Sequence, residues 1–598
     1  LRQISYRLRG QPIIIHVVET EDDLSEFREW ISHTELAGFD TETTGLDWWN
    51  VDREFRLRLA QFGTAHEAYV IPVEKGPAFA DAVRWALLGL DLLVAHHATY
   101  DLHVVDACLG IPMEDLAPKV WDTRILAHLV DPRSVLERGP GLSLEDLTRH
   151  YICETTADEV KGSMRALALK YKTTKARIWR LVDIRDEDFN RYAGMDPVLA
   201  YRLLRILYRL VPALSRAQGL IGWEHRLAHV TALMERTGYL LDVEYAERCS
   251  ADLAQQEEDA KARAKRYGVQ NINSNPQLAD AFKALGVRLT KKTPKGQLAM
   301  DDEVLTGISH PLADLVIKAR KALKWRKTWF ESALQSRDSQ DRVRASINSL
   351  QARTARMSIT GAVPAQTYPS DSGYVRHMWL AEEGHVSCSI DFGNMELRYL
   401  AAFSRDRTML GAFRDGLDLH QITADAAGVN RKVGKMANFL TVYGGGWRAL
   451  VQQAGVDEQT ARKTLHAFNA TYPGVGALAK RLSGEARKTG YIYTSTGRRL
   501  PVDKGRWYAA QNYFVQSGSR DVTARALLRL HRAGFGPYMR LPIHDEVVFS
   551  FPGREAPEMA REAARLMEFE VQGLLIPADA EIGERSWGSV LDRADSKH

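Results

Sequence analysis

Two groups of carboxylates in this sequence have neighbours that could turn them to chemistry. Phe39-Asp40-Thr41-Glu42-Thr43-Thr44-Gly45 places two acids two residues apart at the end of an apolar run. In a strand alternate side chains share a face, so Asp40 and Glu42 point the same way. Carboxylates held together repel unless something positive lies between them, and a hard divalent cation serves well. Two more acids follow, Asp101 in His96-His97-Ala98-Thr99-Tyr100-Asp101 and Asp196 in Tyr192-Ala193-Gly194-Met195-Asp196. Tyr192 and Asp196 are four apart and share a helix face. Four acids and a phenol suit phosphodiester hydrolysis, in which two metals activate a water and stabilise the leaving oxygen while Tyr192 orients the water. A bare D-x-E pair is common on surfaces; the ordered set is far more specific.

The second group lies near the C-terminus. Val386-Ser387-Cys388-Ser389-Ile390-Asp391-Phe392 is an apolar strand ending in an acid, and Leu541-Pro542-Ile543-His544-Asp545-Glu546-Val547-Val548 sets an acidic pair between apolar runs. Such a pair is costly to bury without a cation or partner. Asp391 and Asp545 together could hold two Mg²⁺ about 4 Å apart, one activating a 3′-hydroxyl and one holding a triphosphate. Between them, Arg431, Lys435, Phe439 and Tyr443 recur every four residues and form one helical stripe, cationic first and aromatic after. That order matches a nucleotide, with phosphates at the helix N-terminal end and sugar and base further along.

The elements that position these groups differ along the chain. Over about the first two hundred residues, apolar runs at 12–18, 35–40, 68–73 and 92–96 read as strands alternating with helices, an α/β unit. From about residue 203 to 340 the chain is mostly helical and charged, with a hinge expected at 236–242. A mixed region follows to the C-terminus, with strand, helix and hairpin signals around its acids.

The set D-x-E, then Asp101, then Y-x-x-x-D resembles the DEDDy proofreading exonucleases over roughly residues 10–205. Asp40, Glu42, Asp101 and Asp196 then correspond to metal ligands and Tyr192 to the water-orienting phenol. The family usually carries Asn four positions before its second-motif Asp; His97 stands there, a departure that bears on substrate positioning. Asp391-Phe392-Gly393-Asn394-Met395-Glu396-Leu397-Arg398 resembles motif A of family A DNA polymerases, 431–444 motif B, and His544-Asp545-Glu546 motif C. Further landmarks are Asn273 to Leu278, Asp418-Leu419-His420, Tyr472-Pro473-Gly474, Thr496-Gly497-Arg498-Arg499, and Gln511-Asn512 through Gln516-Ser517-Gly518. The polymerase resemblance runs from about residue 236 to the C-terminus.

It implies a ribonuclease H-like α/β exonuclease domain, residues 1–205, followed by a mixed α+β right-hand polymerase domain, 206–598. Within the latter the thumb falls at about 236–345, the palm at about 346–405 and 500–598, and the fingers at about 406–499. Asp391, Phe392 and Asp545 would surround the catalytic metals, with Glu546 supporting. Arg431, Lys435 and His420 would grip the triphosphate. Glu396, beside Asn394, would pack under the sugar and exclude a 2′-hydroxyl, and Phe439 and Tyr443 would bracket the nascent pair. Arg356, Gln366, Arg498, Asn512, Gln516 and His544 would touch primer or template. The usual T-G-R-L-S is Thr354-Ala355-Arg356-Met357-Ser358 here, and P-N-L-Q-N-I-P is reduced to Val363-Pro364-Ala365-Gln366-Thr367-Tyr368-Pro369, so Arg356 and Gln366 match least well. Motif A has Phe392-Gly393-Asn394 where Tyr-Ser-Gln is commoner.

Bulk properties agree. With 598 residues the chain exceeds what one core holds, and about four packed units are expected. Its 45% hydrophobic and 26% charged residues fit a soluble globular protein, with no apolar run of membrane-spanning length. Leu1-Arg2-Gln3-Ile4 opens no secretory signal, and four scattered cysteines without a CxxC pair point to a reducing cytoplasm rather than zinc or disulfides. Net charge is only +4, so nucleic-acid contact must come from local clusters. Lys318 to Lys327 holds six cations, among them Arg320 and Lys324 as candidate phosphate contacts; 291–296 and 170–177 are further candidates. No 5′-nuclease segment is expected before the exonuclease, and 242–356 is expected to hold no processivity insertion. A compact chain of this kind is similar to bacteriophage replicative enzymes: a monomer in the bacterial host cytoplasm, binding primer–template and dNTPs, using Mg²⁺ or Mn²⁺, and working beside a helicase–primase and a single-strand binding protein. The rival readings are a polymerase whose exonuclease fold is only structural, a single-subunit RNA polymerase, opposed by Glu396 and the attached exonuclease, and a DNA-binding scaffold on a dead fold.

Overall fold

The computed structural model describes residues 1–51, 53–369 and 373–595. The N-terminal unit is built on a mixed sheet of β1 (Arg2–Leu8), β2 (Gln11–Val17), β3 (Leu36–Thr43), β4 (Leu57–Gly63), β5 (Glu67–Ile71), β6 (Leu92–Ala95) and β7 (Val120–Asp122). The spatial order is β1-β2-β5-β4-β3-β6-β7. The four strands read from the sequence are present as β2, β3, β5 and β6. β3 pairs antiparallel with β4 and parallel with β6, so the strand carrying Asp40 and Glu42 sits inside the sheet.

Helices α1 (Thr99–Leu109) and α2 (Glu187–Leu210) bring the later acids to β3. α2 crosses β3 closely because Gly38 lacks a side chain: a Cβ there would stand 2.0 Å from the Pro197 carbonyl oxygen. Asp196 is therefore set beside Asp40 by a glycine two residues away. α2 runs through residue 205, where the domain boundary was expected, and Leu350 and Ala355 from the later chain pack into this unit's core.

α3 (Leu220–Thr237) leads out of the unit. The hinge expected at 236–242 falls on the end of α3 and the short strand after it. Gly238, at φ +66°, ends α3, and Tyr239–Leu241 becomes the middle strand of a three-stranded sheet between Arg342–Val343 and Trp379–Leu380. Tyr239 and Leu241 are buried. Beyond it α4 (Val243–Ala264) and α5 (Pro311–Trp325) pack along one another, and the end of this arm has its own small core of Leu278, Phe282, Leu312 and Val316.

The C-terminal acids stand on an antiparallel sheet of β8 (His385–Phe392), β9 (Met539–Ile543), β10 (Glu546–Pro552) and β11 (Ala578–Ile582), ordered β9-β10-β8-β11. Val547, Val548, Phe549 and Phe551 are fully buried, so register is fixed by burial. That register puts Asp391 opposite Glu546. α6 (Met395–Ser404) follows β8 and packs against α9 (Ala510–Arg532), while α7 (Leu419–Ala427) and α8 (Arg431–Val442) pack against one another. Asn430 caps α8 by accepting the Val433 N–H at 2.9 Å. Gly434 lets α7 come close, since a Cβ there would lie 2.5 Å from the His420 carbonyl oxygen. Among the described residues no helix is long and apolar enough to cross a membrane.

Candidate active sites

In the N-terminal unit, Asp40, Glu42 and Asp196 present carboxylate oxygens that all lie within 4.8 Å of one another. Asp101 joins them through Thr41, whose hydroxyl donates to Asp101 Oδ1 at 2.6 Å. Burial, and then the charges of Asp101, Asp196 and Glu42, push Asp40 well above the ordinary carboxylate range; burial, Asp196 and Asp101 do the same to Glu42. Burial raises Asp101 and Asp196 to about 7. Tyr192 is held protonated first by the charge of Asp196 and then by burial. Hard oxygen donors crowded until their charges repel are suited to a hard divalent cation. Sequence reading missed Arg58, a buried cation whose charge favours ionised Glu42. It is fixed by Glu74 at 2.9 Å and by the Trp179 carbonyl at 2.9 Å. A lone Arg in a mostly apolar strand was its only signal.

These shifts set a pH dependence. A carboxyl whose folded pKa is raised stabilises the fold at low pH, and that contribution is lost as pH rises through the folded value, here about 7. In EDTA the unfolding temperature of the N-terminal unit should therefore fall between about pH 5 and 8, and Mg²⁺ should raise it more at pH 8 than at pH 5. Calorimetry on the full chain measures both; a metal effect independent of pH would reject the acids as its site.

In the C-terminal unit a cavity of about 420 Å³ is lined by Asp391, Phe392, Asn394, Glu396, Phe439, Tyr443, His544 and Asp545, together with Arg356. The Phe392 N–H donates to the Asp545 carbonyl at 3.2 Å, which ties the end of β8 to the turn before β10. Burial and the charges of Asp545 and Glu546 raise Asp391 to about 8; burial also raises Asp545 and Glu546. Glu546 lies outside the cavity lining, its carboxylate accepting from the Ser389 hydroxyl. Glu396 is buried and held at both oxygens, by Arg356 Nη2 at 2.8 Å and the Tyr443 hydroxyl at 2.7 Å. Asn394 takes the left-handed conformation, φ +53°, that an Asn tolerates at the start of α6.

Up α8 from Phe439, Lys435 and Arg431 reach solvent, Arg431 pairing with Asp418 at 2.5 Å. The His420 ring lies 5.7 Å from that of Phe439. Its Nδ1 accepts from Asn438 Nδ2 at 2.9 Å, which leaves Nε2 as the donor. Asn438 was missed in the sequence; its amide oxygen accepts from Thr423 at 2.7 Å, so it fixes the ring from the buried side of the same helix.

The family described as DNA polymerase family A matches residues 243–589, and that described as 3′-5′ exonuclease matches 15–212. The chain is a family A DNA polymerase. It is 46% identical over 593 residues to the DNA polymerase of Mycobacterium phage L5, covering 98% of this chain and 99% of that one, and 45% identical over 605 residues to that of phage D29. Its fold matches the POL domain of Pol1 from M. smegmatis, solved in complex with DNA primer-template and dNTP, at a TM-score of 0.77 over 96% of this chain and 100% of that one, with 21% identity.

Three of the DNA contacts expected of this polymerase need correction. Arg498 is buried, its guanidinium shared between Glu224 and Asp521. Arg520 binds the same two acids, at 2.7 and 3.0 Å, so two cations and two anions are closed off between α3 and α9. Against burial, Arg520 and Arg498 hold Glu224 down to about 2. Gln366 spends its amide on the backbone, donating to the Met357 carbonyl at 3.1 Å and accepting from Ile359 N–H at 3.2 Å. Arg320 donates to the Ile272 carbonyl at 2.9 Å and to that of Met300, bracing the end of the α4–α5 arm. Lys324 is exposed on α5; Asn512 and Gln516 are half-exposed on α9, Gln516 accepting from the Thr354 hydroxyl at 3.3 Å. In the other basic segments Lys291 pairs with Asp301 and Lys170 with Asp186. Arg498→Ala should lower stability by about 3–5 kcal/mol, because it strands a buried carboxylate. Urea unfolding reads this out; a loss under about 1 kcal/mol would mean the cluster is hydrated.

Proposed function

We propose that this polymerase extends a primer 3′-hydroxyl with dNTPs at the cavity between Asp391 and Asp545, and removes mispaired 3′ ends at Asp40, Glu42, Asp101 and Asp196, as the replicative enzyme of a bacteriophage in its host's cytoplasm. The observation that carries the reading is the convergence of motif A, B and C residues, from β8, α6, α8 and the β9–β10 turn, on one cavity beside a raised-pKa acid pair. The raised acids at each site fit two Mg²⁺, with Mn²⁺ as a substitute. When bound, these metals supply a lowered pKa for the attacking oxygen and charge neutralisation at the phosphate.

The chain's own residues do the rest. Lys435, Arg431 and the Nε2 of His420 face the triphosphate, while Phe439 and Tyr443 hold the sugar and nascent pair. Asn394 completes the floor. Arg356, Asn512, Gln516 and His544 hold primer and template near the minor groove, and Lys324 meets a backbone phosphate. At the exonuclease site Tyr192 orients the water. The partners are primer–template and dNTPs, with a helicase–primase and a single-strand binding protein in the replisome, and the chain acts as a monomer. A labelled mismatched primer, incubated with and without dNTPs on one gel, tests both activities; failure to shorten the primer in Mg²⁺ or Mn²⁺ rejects proofreading.

Glu396 would read the sugar. Its carboxylate is pinned by Arg356 and Tyr443, so it cannot swing away from a 2′-hydroxyl. Glu396→Ala should raise the ratio of ribonucleotide to deoxynucleotide incorporation by about tenfold or more. An unchanged ratio in single-nucleotide incorporation would reject the gate.

A further inference from the structure

β4 buries two polar side chains, Arg58 and Gln61. Arg58 is bonded to Glu74 and to the Trp179 carbonyl. Gln61 is fully buried, yet neither its Nε2 nor its Oε1 has a hydrogen-bond partner. An amide offers two donors and an acceptor, and hiding all of them from water is costly when none is bonded. Leu59 on the same face of β4 and Val70 opposite on β5 are aliphatic and equally buried. A leucine or methionine between them would fill the position without that cost. The amide therefore has a use other than packing.

Its register places it beside the acids. Gln61 pairs directly with Asp40 across the antiparallel β3–β4 ladder, as Leu59 does with Glu42 and Gly63 with Gly38. Side chains directly opposite one another project from the same side of a sheet, with Cβ atoms about 5 Å apart. That side is the one α2 covers: a Cβ on Gly38 would meet Pro197, and one on Gly63 would meet Val198 and Pro197. Phe39 and Phe62 pack together on the other face. Gln61 thus lies under α2, next to the carboxylates.

Three of the four acids already have a side-chain partner. Thr41 donates to Asp101 at 2.6 Å, Tyr192 donates to Asp196, and the charge of Arg58 favours ionised Glu42. Asp40 has the backbone N–H of Thr41 and, among the described residues, no side-chain donor. A carboxylate that ligates a divalent cation is oriented by hydrogen bonds to its remaining lone pairs, and removing such a partner weakens metal binding by about ten- to a hundredfold.

We propose that Gln61 is the positioning residue for Asp40: its Nε2 donates to the Asp40 carboxylate when a divalent cation is bound and holds the other oxygen toward the metal. Gln61 is fully buried and does not touch a primer, so it acts through Asp40. The proposal rests on the reading of Asp40, Glu42, Asp101 and Asp196 as the excision site.

The test uses the full chain carrying Q61M, which keeps the volume and removes the amide, with Q61L as a second variant. In EDTA the unfolding temperature of the N-terminal unit should stay level or rise by about 2–4 °C, because an unbonded buried amide gives way to an apolar chain. The further rise on adding Mg²⁺ at pH 8 should shrink to about half or less of the wild-type rise. The Mg²⁺ concentration for half-maximal excision of a single-stranded primer should increase about tenfold or more, while excision at saturating Mg²⁺ largely recovers. Primer extension is the internal control. A lower unfolding temperature in EDTA for both variants would mean that the amide is bonded in the metal-free fold, and a wild-type Mg²⁺ response would mean that it does not hold Asp40. Either result overturns the proposal, as does a loss of excision that saturating Mg²⁺ leaves in place. Wild-type protein that gains stability from Mg²⁺ but never shortens the primer would instead sink the excision reading, and calorimetry would still decide Gln61.

Discussion

Asp391→Ala and Asp545→Ala should each lose primer extension by at least about a thousandfold while still shortening a primer 3′ end. Both carboxylates line one cavity, both are raised by burial, and Asp391 is raised further by Asp545, so removing either leaves half of a cation site. The converse holds for Asp40→Ala/Glu42→Ala, which should retain extension and lose degradation. The exonuclease acids stand on β3, α1 and α2, and none of them lines the polymerase cavity. The measurement is a labelled mismatched primer followed with and without dNTPs for each variant. Equal loss of both activities in any one variant would show that the two sites are not separate.

Dideoxynucleotides should be strongly rejected by the wild-type enzyme and accepted nearly as well as dNTPs by Phe439→Tyr. Phe439 lines the cavity with Asp391 and Glu396, one turn below Lys435 on α8. Its ring has no polar atom to replace the contact that an incoming 3′-hydroxyl supplies. A dideoxynucleotide then leaves polar groups underpaired as the site closes, which costs a few kcal/mol, or about a hundred- to thousandfold in rate. A tyrosine oxygen would stand near the vacancy and restore the contact. Competition of ddNTP against dNTP on one primer–template, in an Asp40→Ala background that prevents excision, reads the ratio directly. Similar discrimination by both proteins would place the α8 face elsewhere than against the sugar.

What could be read from the chain alone depended on how local its cause was. Asp40 and Glu42 share a face because strand geometry alternates, and Arg431, Lys435, Phe439 and Tyr443 share one because a helix turns every 3.6 residues. The strands β2, β3, β5 and β6 were legible as apolar runs. β4 was not, because Arg58 and Gln61 interrupt its run, although both are buried. Arg58 is tied to Glu74 and to the Trp179 carbonyl, contacts that no periodicity announces.

The sequence by itself determined both acid sets, the cationic and aromatic stripe of α8 and the family, since each is a matter of residue type at fixed spacing. Tertiary structure alone decided which cations are free. Arg498 sits in a motif that reads as a DNA contact, yet α3 supplies Glu224 from 274 residues earlier and closes it into a buried four-charge cluster. Arg320 and Gln366 are likewise consumed by backbone carbonyls that only folding brings near. The reverse happens at Arg138, Lys504 and Arg506, which carry no motif and become a basic groove when two units meet. The reason is physical: a side chain's type is set by the codon, but whether its charge is spent or available depends on which groups the fold places within a few ångströms of it, and in water-poor surroundings that decides its energy.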